Sequence, residues 1–176
     1  SKSVGQTWYG GSTPQAALGQ SDNLFTPVQL ATYTATIANG GNRYRTHIVK
    51  KITDYVRQNV IEENNSDSPE LIENVGVSEK TLETVKEGMR SVVTSGTASN
   101  FANYPVKIAG KTGTAQNNTS HDHTTFICFA PYDKPEIAIA VVLEYGSSST
   151  FSKGVAKDML DAYFFKEGID ESAIQQ

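Results

Sequence analysis

One nine-residue segment combines residue types that can do chemistry: residues 108–116 read IAGKTGTAQ. The pattern predicts a strand with Lys111 and Gly113 on one face and Thr112 and Thr114 on the other. Because Gly113 lacks a side chain, the backbone of a ligand can lie close against the strand. The strand edge can then bind an extended peptide, a threonine hydroxyl can hold the peptide's carboxylate, and Lys111 can stabilise a developing anion.

A phosphate-binding loop is a competing interpretation of this segment, and the sequence argues against it. Such a loop needs a glycine five positions before Gly110, where this chain has Pro105. It also needs a helix to follow, which Gly113 and Thr114 do not start. A Lys-Thr-Gly triad by itself is not specific, since three residues recur by chance and a turn also explains a glycine. The helices and strands predicted around the triad are therefore needed to choose between these interpretations.

Three other candidates for chemistry have simpler structural explanations. His121 and His123 flank Asp122, but two histidines without a third ligand make a poor metal site, and the segment is expected to join two strands as a loop. Cys128 is the only cysteine, which excludes an internal disulfide, and is expected to be a small core residue rather than a nucleophile. Glu144 ends an apolar strand, where it can pair with a lysine. No metal or cofactor is expected.

Two helices are predicted in the first hundred residues. The first follows Thr26, has Pro27 at its first position and stops at a Gly-Gly pair. The second is capped by Ser78, has Glu79 in its first turn and stops at a Ser-Gly pair. Their apolar faces are expected to comprise Val28, Leu30, Ala31, Thr34, Ile37 and Ala38 in the first helix, and Leu82, Val85, Met89, Val92 and Val93 in the second.

The other N-terminal segments are expected to be loops or a hairpin. Residues 1–20 are predicted to form a loop, with Trp8 and Tyr9 docking it onto the body. Residues 42–54 are predicted to form a strand or hairpin arm, and the polar residues 57–75 a hairpin tip or loop.

Three strands and a closing helix are predicted in the last third of the chain, at residues 106–116, 124–130, 136–145 and 152–166. The run 137–143 is apolar on both faces, so the third strand should be covered on both sides. Short connections make the strands antiparallel, and the fold class is therefore α+β, with an antiparallel sheet flanked by helices. The inward face of the closing helix is expected to comprise Val155, Met159, Leu160 and Tyr163 or Phe164.

Composition excludes several classes of protein. The chain has 176 residues and a formal net charge of −4, so it lacks the basic balance of a nucleic-acid or anionic-membrane binder. Hydrophobic residues at 38% and charged residues at 19% exclude a disordered chain. The longest apolar run is too short to cross a membrane. Because no leader pattern follows Ser1, we expect any export signal or anchor to lie outside this chain.

Several landmarks, in order along the chain, resemble the transpeptidase domain of penicillin-binding proteins, in the style of the monofunctional class B enzymes. They are GQ at 19–20, TPVQLA at 26–31, IANGG at 37–41, SGTA at 95–98, AGKTGTAQ at 109–116 and FAPY at 129–132. The Lys-Thr-Gly triad is one of the signatures of this family. The landmarks extend from Gly19 to the closing helix, which is most of the chain.

The resemblance implies a peptidoglycan D,D-transpeptidase that cross-links cell-wall stem peptides through an acyl-serine and binds β-lactams. Lys111 and Thr114 would be catalytic, with the Thr114 N–H as one oxyanion donor. Thr112, Gly113, Ala115 and Gln116 would bind substrate, with the Thr112 and Thr114 hydroxyls on its carboxylate. The parent protein would act at the extracytoplasmic face of the bacterial cytoplasmic membrane, through an anchor absent from this chain.

Two departures from the family pattern qualify this implication. No lysine has a serine three residues before it, so the nucleophile motif Ser-x-x-Lys is missing. The chain therefore resembles the C-terminal portion of a single transpeptidase domain, a partial fold without the serine helix and two strands. Ser21, Asp22 and Asn23 spell a second family motif, but directly before a helix they are interpreted as turn residues.

Two alternatives stay open at this point. The chain can belong to a non-catalytic β-lactam sensor or degenerate scaffold, or to a serine β-lactamase. In each case apolar side chains of an incomplete sheet would be uncovered, so the isolated fragment is expected to self-associate or to fold its first residues over the gap.

Overall fold

The structure is a computed structural model, and it describes residues 9–17, 19, 24–64, 68–116 and 121–165. These form four helices, one short 3-10 helix and seven strands. The helices are α1 (Ser12–Ala17), α2 (Pro27–Ala38), α3 (Glu79–Thr94) and α4 (Ser149–Phe165), and the 3-10 helix is Ser99–Phe101. The strands are β1 (Asn42–Tyr44), β2 (Lys51–Thr53), β3 (Val60–Glu63), β4 (Leu71–Asn74), β5 (Ala109–Ala115), β6 (His123–Ala130) and β7 (Ile137–Leu143). The predicted α+β class is confirmed.

Helix α2 has the start and stop signals that its sequence predicts. It begins at Pro27, and Gly40 and Gly41 follow it with φ of 83° and 94°. The Gly41 N–H donates to the Thr36 carbonyl at 2.8 Å, the longer bond of a Schellman stop. Thr34, Thr36, Ile37 and Ala38 are buried, whereas Val28 is exposed, so only the C-terminal half of the predicted face is in the core.

Helix α3 is capped as predicted. The Ser78 hydroxyl accepts a hydrogen bond from the Thr81 N–H at 3.2 Å, and Glu79 occupies the first turn. Leu82, Met89 and Val93 are buried, which confirms most of the predicted face, although Val85 is exposed.

The loop prediction for residues 1–20 is wrong at Ser12–Ala17, which form α1. Gly19 ends this helix with a φ of 78°, and its N–H donates to the Ala16 carbonyl at 3.0 Å. Pro14 in the first turn is a helix-start signal that the polar composition around it concealed. Tyr9 is 70% exposed and does not dock, and Trp8 lies outside the described residues.

The described residues between 42 and 75 form a nested β-ribbon. Strand β2 pairs antiparallel with β3, and outside them β1 pairs antiparallel with β4. The turn at the tip is held by Asp54. Its carboxylate accepts hydrogen bonds from the backbone N–H of Gln58 at 2.9 Å and from the side-chain amide of Asn59 at 2.6 Å.

The prediction of a hairpin tip or loop at 57–75 is therefore wrong for β3 and β4. Both strands are exposed at every position, so no apolar alternation reveals them. Charged pairs join β1 and its extension to the returning strand instead: Arg43 with Glu73 at 2.9 Å, and Arg45 with Glu70.

The described residues fall into two compact units. In the unit made of residues 27–111 and 127–140, α2 packs against α3 and β1. Its core cluster comprises Ile37, Ala38, Met89, Ala109 and Phe129.

The other unit comprises the described residues of 1–26, 112–126 and 141–176. Helix α4 in this unit begins at Ser149, three residues before the predicted start, and buries Ser152, Ala156 and Leu160. Val155, Met159 and Tyr163 are exposed, so the predicted inward face is correct only at Leu160 and in part at Phe164, which is half-buried. The buried stripe consists of two small residues, Ser152 and Ala156, followed by Leu160, each four positions from the next.

The three C-terminal strands form one sheet in the order β5-β6-β7. In β7, Ile139 and Val141 are buried and the other residues are half-buried, so both faces are at least partly covered, as predicted. Among the helices of the described residues, none combines the length and the apolar character that crossing a membrane requires.

Candidate functional site

The residues predicted to do chemistry lie on the outer strand of the three-stranded sheet. Lys111, Thr112, Gly113, Thr114 and Ala115 form most of β5, and Gln116 follows directly after it. Strand β5 has its sheet neighbour β6 on one side, and in this sheet of the described residues its other side is an edge.

Exposure changes along β5 at the start of the triad. Ala109 and Gly110 are buried, whereas Lys111 and Thr114 are exposed. Thr112, Gly113 and Ala115 are half-buried, and Gln116 is exposed. The strand is thus anchored in the interior at its first residues and presents the triad at the surface, where a ligand can reach it.

Neither the backbone conformation nor the packing of the described residues requires a glycine at position 113. Its φ does not lie in the left-handed region that favours glycine. A Cβ atom built on Gly113 would meet the Thr125 Cβ at 3.5 Å and the Thr125 carbonyl oxygen at 3.9 Å, which are ordinary van der Waals distances. A side chain would therefore fit, and the bare backbone at this position is available to something outside the chain.

The residues immediately before β5 are held from two directions. The Arg90 guanidinium on α3 donates through Nη1 to the Ile108 carbonyl at 2.6 Å. The Tyr132 N–H donates to the Lys107 carbonyl at 2.8 Å, and the Lys107 ammonium pairs with Asp133 at 2.8 Å. The sequence gives no local signal for these contacts, because the partners are far apart along the chain.

Of the two histidines predicted to make a poor metal site, His123 takes part in structural contacts with Tyr145. The Nδ1 atom of His123 accepts a hydrogen bond from the Tyr145 N–H at 3.0 Å, and the two rings meet edge to face at 5.0 Å. His121 is exposed. Within the described ranges, no three His, Cys, Asp or Glu side chains are grouped so that they could hold a metal ion.

Cys128 is a core residue, as predicted. It is fully buried in β6, and burial raises the pKa of its thiol to about 12. The thiol is therefore protonated at neutral pH and is a poor nucleophile. Glu144 is exposed in the turn after β7, and Ser21, Asp22 and Asn23 lie outside the described residues.

Comparison with known proteins identifies the family. The family model "Penicillin binding protein transpeptidase domain" matches residues 1–163. The chain is 35% identical to penicillin-binding protein 2A of Bacillus subtilis over 91% of its own length and 25% of the relative's. It is 32% identical to the peptidoglycan D,D-transpeptidase MrdA of Acinetobacter baumannii, over 88% of its own length and 24% of the relative's.

A solved structure agrees with these matches. The imipenem acyl-enzyme complex of penicillin-binding protein A from M. tuberculosis superposes with a TM-score of 0.72 at 28% identity, covering 85% of this chain and 33% of that one. The chain thus spans about a quarter of the length of the curated relatives it matches. It belongs to the penicillin-binding protein transpeptidase family.

Proposed function

We propose that this chain is the C-terminal portion of a single transpeptidase domain of a peptidoglycan D,D-transpeptidase. In this proposal β5 binds the D-Ala-D-Ala end of a cell-wall stem peptide as an added strand. One observation carries it: the Lys-Thr-Gly triad lies on the outer strand of its sheet with Lys111 exposed and Thr112 and Gly113 half-buried, and neither the backbone nor the packing of the described residues requires the glycine.

The reaction then has two acyl transfers. A serine hydroxyl, supplied by a Ser-x-x-Lys helix that this chain does not contain, attacks the carbonyl between the two D-alanines. The serine proton passes to a base, for which the lysine of the same motif is the candidate, and from the base to the amine of the terminal D-alanine, which leaves as the C–N bond breaks. The amine of a second stem peptide attacks the acyl-serine, forms the cross-link and returns the proton to the serine.

The residues of β5 have distinct roles in these steps. The Thr114 N–H is one oxyanion donor, and a donor of this kind is worth about 3 kcal/mol in the transition state. Lys111 places positive charge beside the developing anion. The Thr112 and Thr114 hydroxyls hold the terminal carboxylate, and Gly113, Ala115 and Gln116 border the substrate backbone. The same contacts receive the carboxylate of a β-lactam, which then acylates the serine.

The whole protein, in this proposal, works at the extracytoplasmic face of the bacterial cytoplasmic membrane, where its substrate lies. Its partners are the stem peptides and β-lactam antibiotics. The proposal has support from relatives that are named penicillin-binding proteins or D,D-transpeptidases, and from a neighbour solved as an acyl-enzyme.

Labelling with a fluorescent penicillin tests the proposal. The full-length protein should be labelled covalently, excess unlabelled penicillin should prevent it, and this chain alone should not be labelled. A full-length protein that folds but takes no label would instead be a scaffold. Rapid release of hydrolysed label would identify a β-lactamase, and labelling of the isolated chain would overturn the assignment of the nucleophile to another segment.

A further inference from the structure

Arg90 makes a long-range polar contact to the entrance of β5. Its side chain is half-buried on α3, and Nη1 lies 2.6 Å from the Ile108 carbonyl oxygen. Ile108 is fully buried and is the last residue before the strand begins at Ala109. The guanidinium thus holds the backbone three residues before Lys111.

A charged donor makes this contact stronger than an ordinary backbone hydrogen bond. Hydrogen bonds with an ionised partner are roughly twice as strong as neutral ones, and a buried carbonyl that loses its donor pays a desolvation cost. The neighbouring residue Met89 is buried in the same core cluster as Ala109 and Phe129. Adjacent residues of α3 therefore belong to one anchor, Met89 through apolar packing and Arg90 through its hydrogen bond.

The second support of the same segment is of a different kind. Lys107 pairs with Asp133 at 2.8 Å, but both side chains are more than 60% exposed. An exposed ion pair contributes little to holding a backbone in place. The half-buried contact of Arg90 to Ile108 is accordingly the stronger of the two side-chain supports.

We propose that Arg90 is a positioning residue for the transpeptidase reaction, an inference that rests on the proposed function. By fixing the Ile108 carbonyl it sets where β5 leaves the core, and so where Lys111 stands beside the reacting carbonyl. A displacement of 1 Å in a reacting group can cost about a hundredfold in rate. In this proposal Arg90 acts on the reaction through the backbone of the strand, by its hydrogen bond to the Ile108 carbonyl.

The test compares Arg90→Met, Arg90→Lys and Lys107→Met in the full-length protein. Arg90→Met keeps an apolar stem and removes the donors, so we expect its acylation rate constant to fall about tenfold or more, with non-covalent affinity for the penicillin changed far less. Arg90→Lys keeps a charged donor and should recover part of the rate. Lys107→Met removes the exposed ion pair and should acylate like the wild type.

Two further measurements separate positioning from folding. Titration with labelled penicillin counts the active molecules, so the rate constant refers only to folded protein. Hydrogen exchange followed by mass spectrometry should show faster exchange in the peptide containing residues 107–116 of Arg90→Met, and no change there in Lys107→Met.

The outcomes are distinct. A wild-type rate constant in Arg90→Met, or a loss confined to the active fraction and to thermal stability, would overturn the role of Arg90 and leave the proposed function intact. A hydrogen-exchange rate in residues 107–116 of Arg90→Met equal to that of the wild type would also overturn the role of Arg90. A wild-type protein that folds but takes no label would overturn the proposed function, and the reaction role of Arg90 with it.

Discussion

Gly146 packs against the hydroxyl of Thr124 so closely that no side chain fits at position 146. A Cβ atom there would lie 2.5 Å from the Thr124 Oγ1 and 2.9 Å from the Leu143 Cβ. Tyr145 and Ser147 on either side both have left-handed backbones, with φ of 55° and 56°. The conformation of the turn after β7 is therefore tightly constrained, and its backbone at Gly146 lies close to the Thr124 side chain of β6.

Gly146→Ala should destabilise the protein by about 1–3 kcal/mol, because the methyl group forces either Thr124 or the turn to move. Denaturant unfolding of the purified chain measures this. Gly154→Ala in α4 is the matched control: no atom lies within 4 Å of its added Cβ, so replacing a helical glycine should stabilise by about 0.5–1 kcal/mol. Equal stability of the two variants would contradict the packing described at Gly146.

Gly113→Ala should separate function from folding. Its Cβ meets only Thr125 at ordinary distances, so the free energy of unfolding should stay within about 0.5 kcal/mol of the wild type. In the full-length protein the added methyl group would occupy the space that we propose for the substrate backbone, and acylation by penicillin should then fall about tenfold or more. Acylation at the wild-type rate would remove Gly113 from the substrate surface.

Thr114→Val in the full-length protein should slow acylation by β-lactams about tenfold, because it removes, at nearly constant volume, the hydroxyl that we propose donates to the carboxylate of the ligand. The Thr114 N–H survives the change, so part of the rate should remain. Thr84→Val on α3 is the control: its exposed hydroxyl donates to the Lys80 carbonyl of the same helix at 2.9 Å, so acylation should be unaffected. An unchanged rate in Thr114→Val would exclude its side chain from the site.

Cys128 should make the protein less stable in alkali. Burial raises the pKa of its thiol from 9.0 to about 12, so between these values the unfolded thiol ionises and the folded one does not. The protonated thiol therefore contributes its full share of the free energy of unfolding below about pH 9. Above that pH, the free energy of unfolding falls by about 1.4 kcal/mol per pH unit.

Unfolding free energies of the wild type and Cys128→Ala, measured from pH 8 to 10.5, check this. Their difference should shrink as the pH rises above 9, since the titrations of all other groups cancel in it. A difference that stays constant over this range would show that the thiol ionises equally in both states.

Local sequence signals are sufficient to predict where a helix starts when its own capping residues mark the start. Pro27 and Ser78 mark the starts of α2 and α3 because turn and cap chemistry depends on neighbouring residues. The sequence around the triad likewise predicts the strand that the structure shows as β5. The catalytic and substrate-binding roles of the six residues 111–116 stay a prediction.

Features that depend on distant partners were not predictable. Strands β3 and β4 are exposed throughout, so no hydrophobic period marks them, and β4 is joined to β1 by the ion pair Arg43–Glu73. The contact of Arg90 with Ile108 joins residues 18 positions apart and follows from the packing of α3, which no local pattern encodes.

The nesting of the ribbon imposes an order of assembly. The cost of closing a loop rises with the logarithm of its length, so the short turn at Asp54 brings β2 and β3 together far more readily than the long connection brings Tyr44 to Leu71. Once the inner pair exists, only short segments remain between the inner and outer pairs, and β1 and β4 are already neighbours. We therefore expect the ribbon to pair from its tip to its base, with the pairing of Arg43 and Glu73 following the turn that the hydrogen bonds of Asp54 hold.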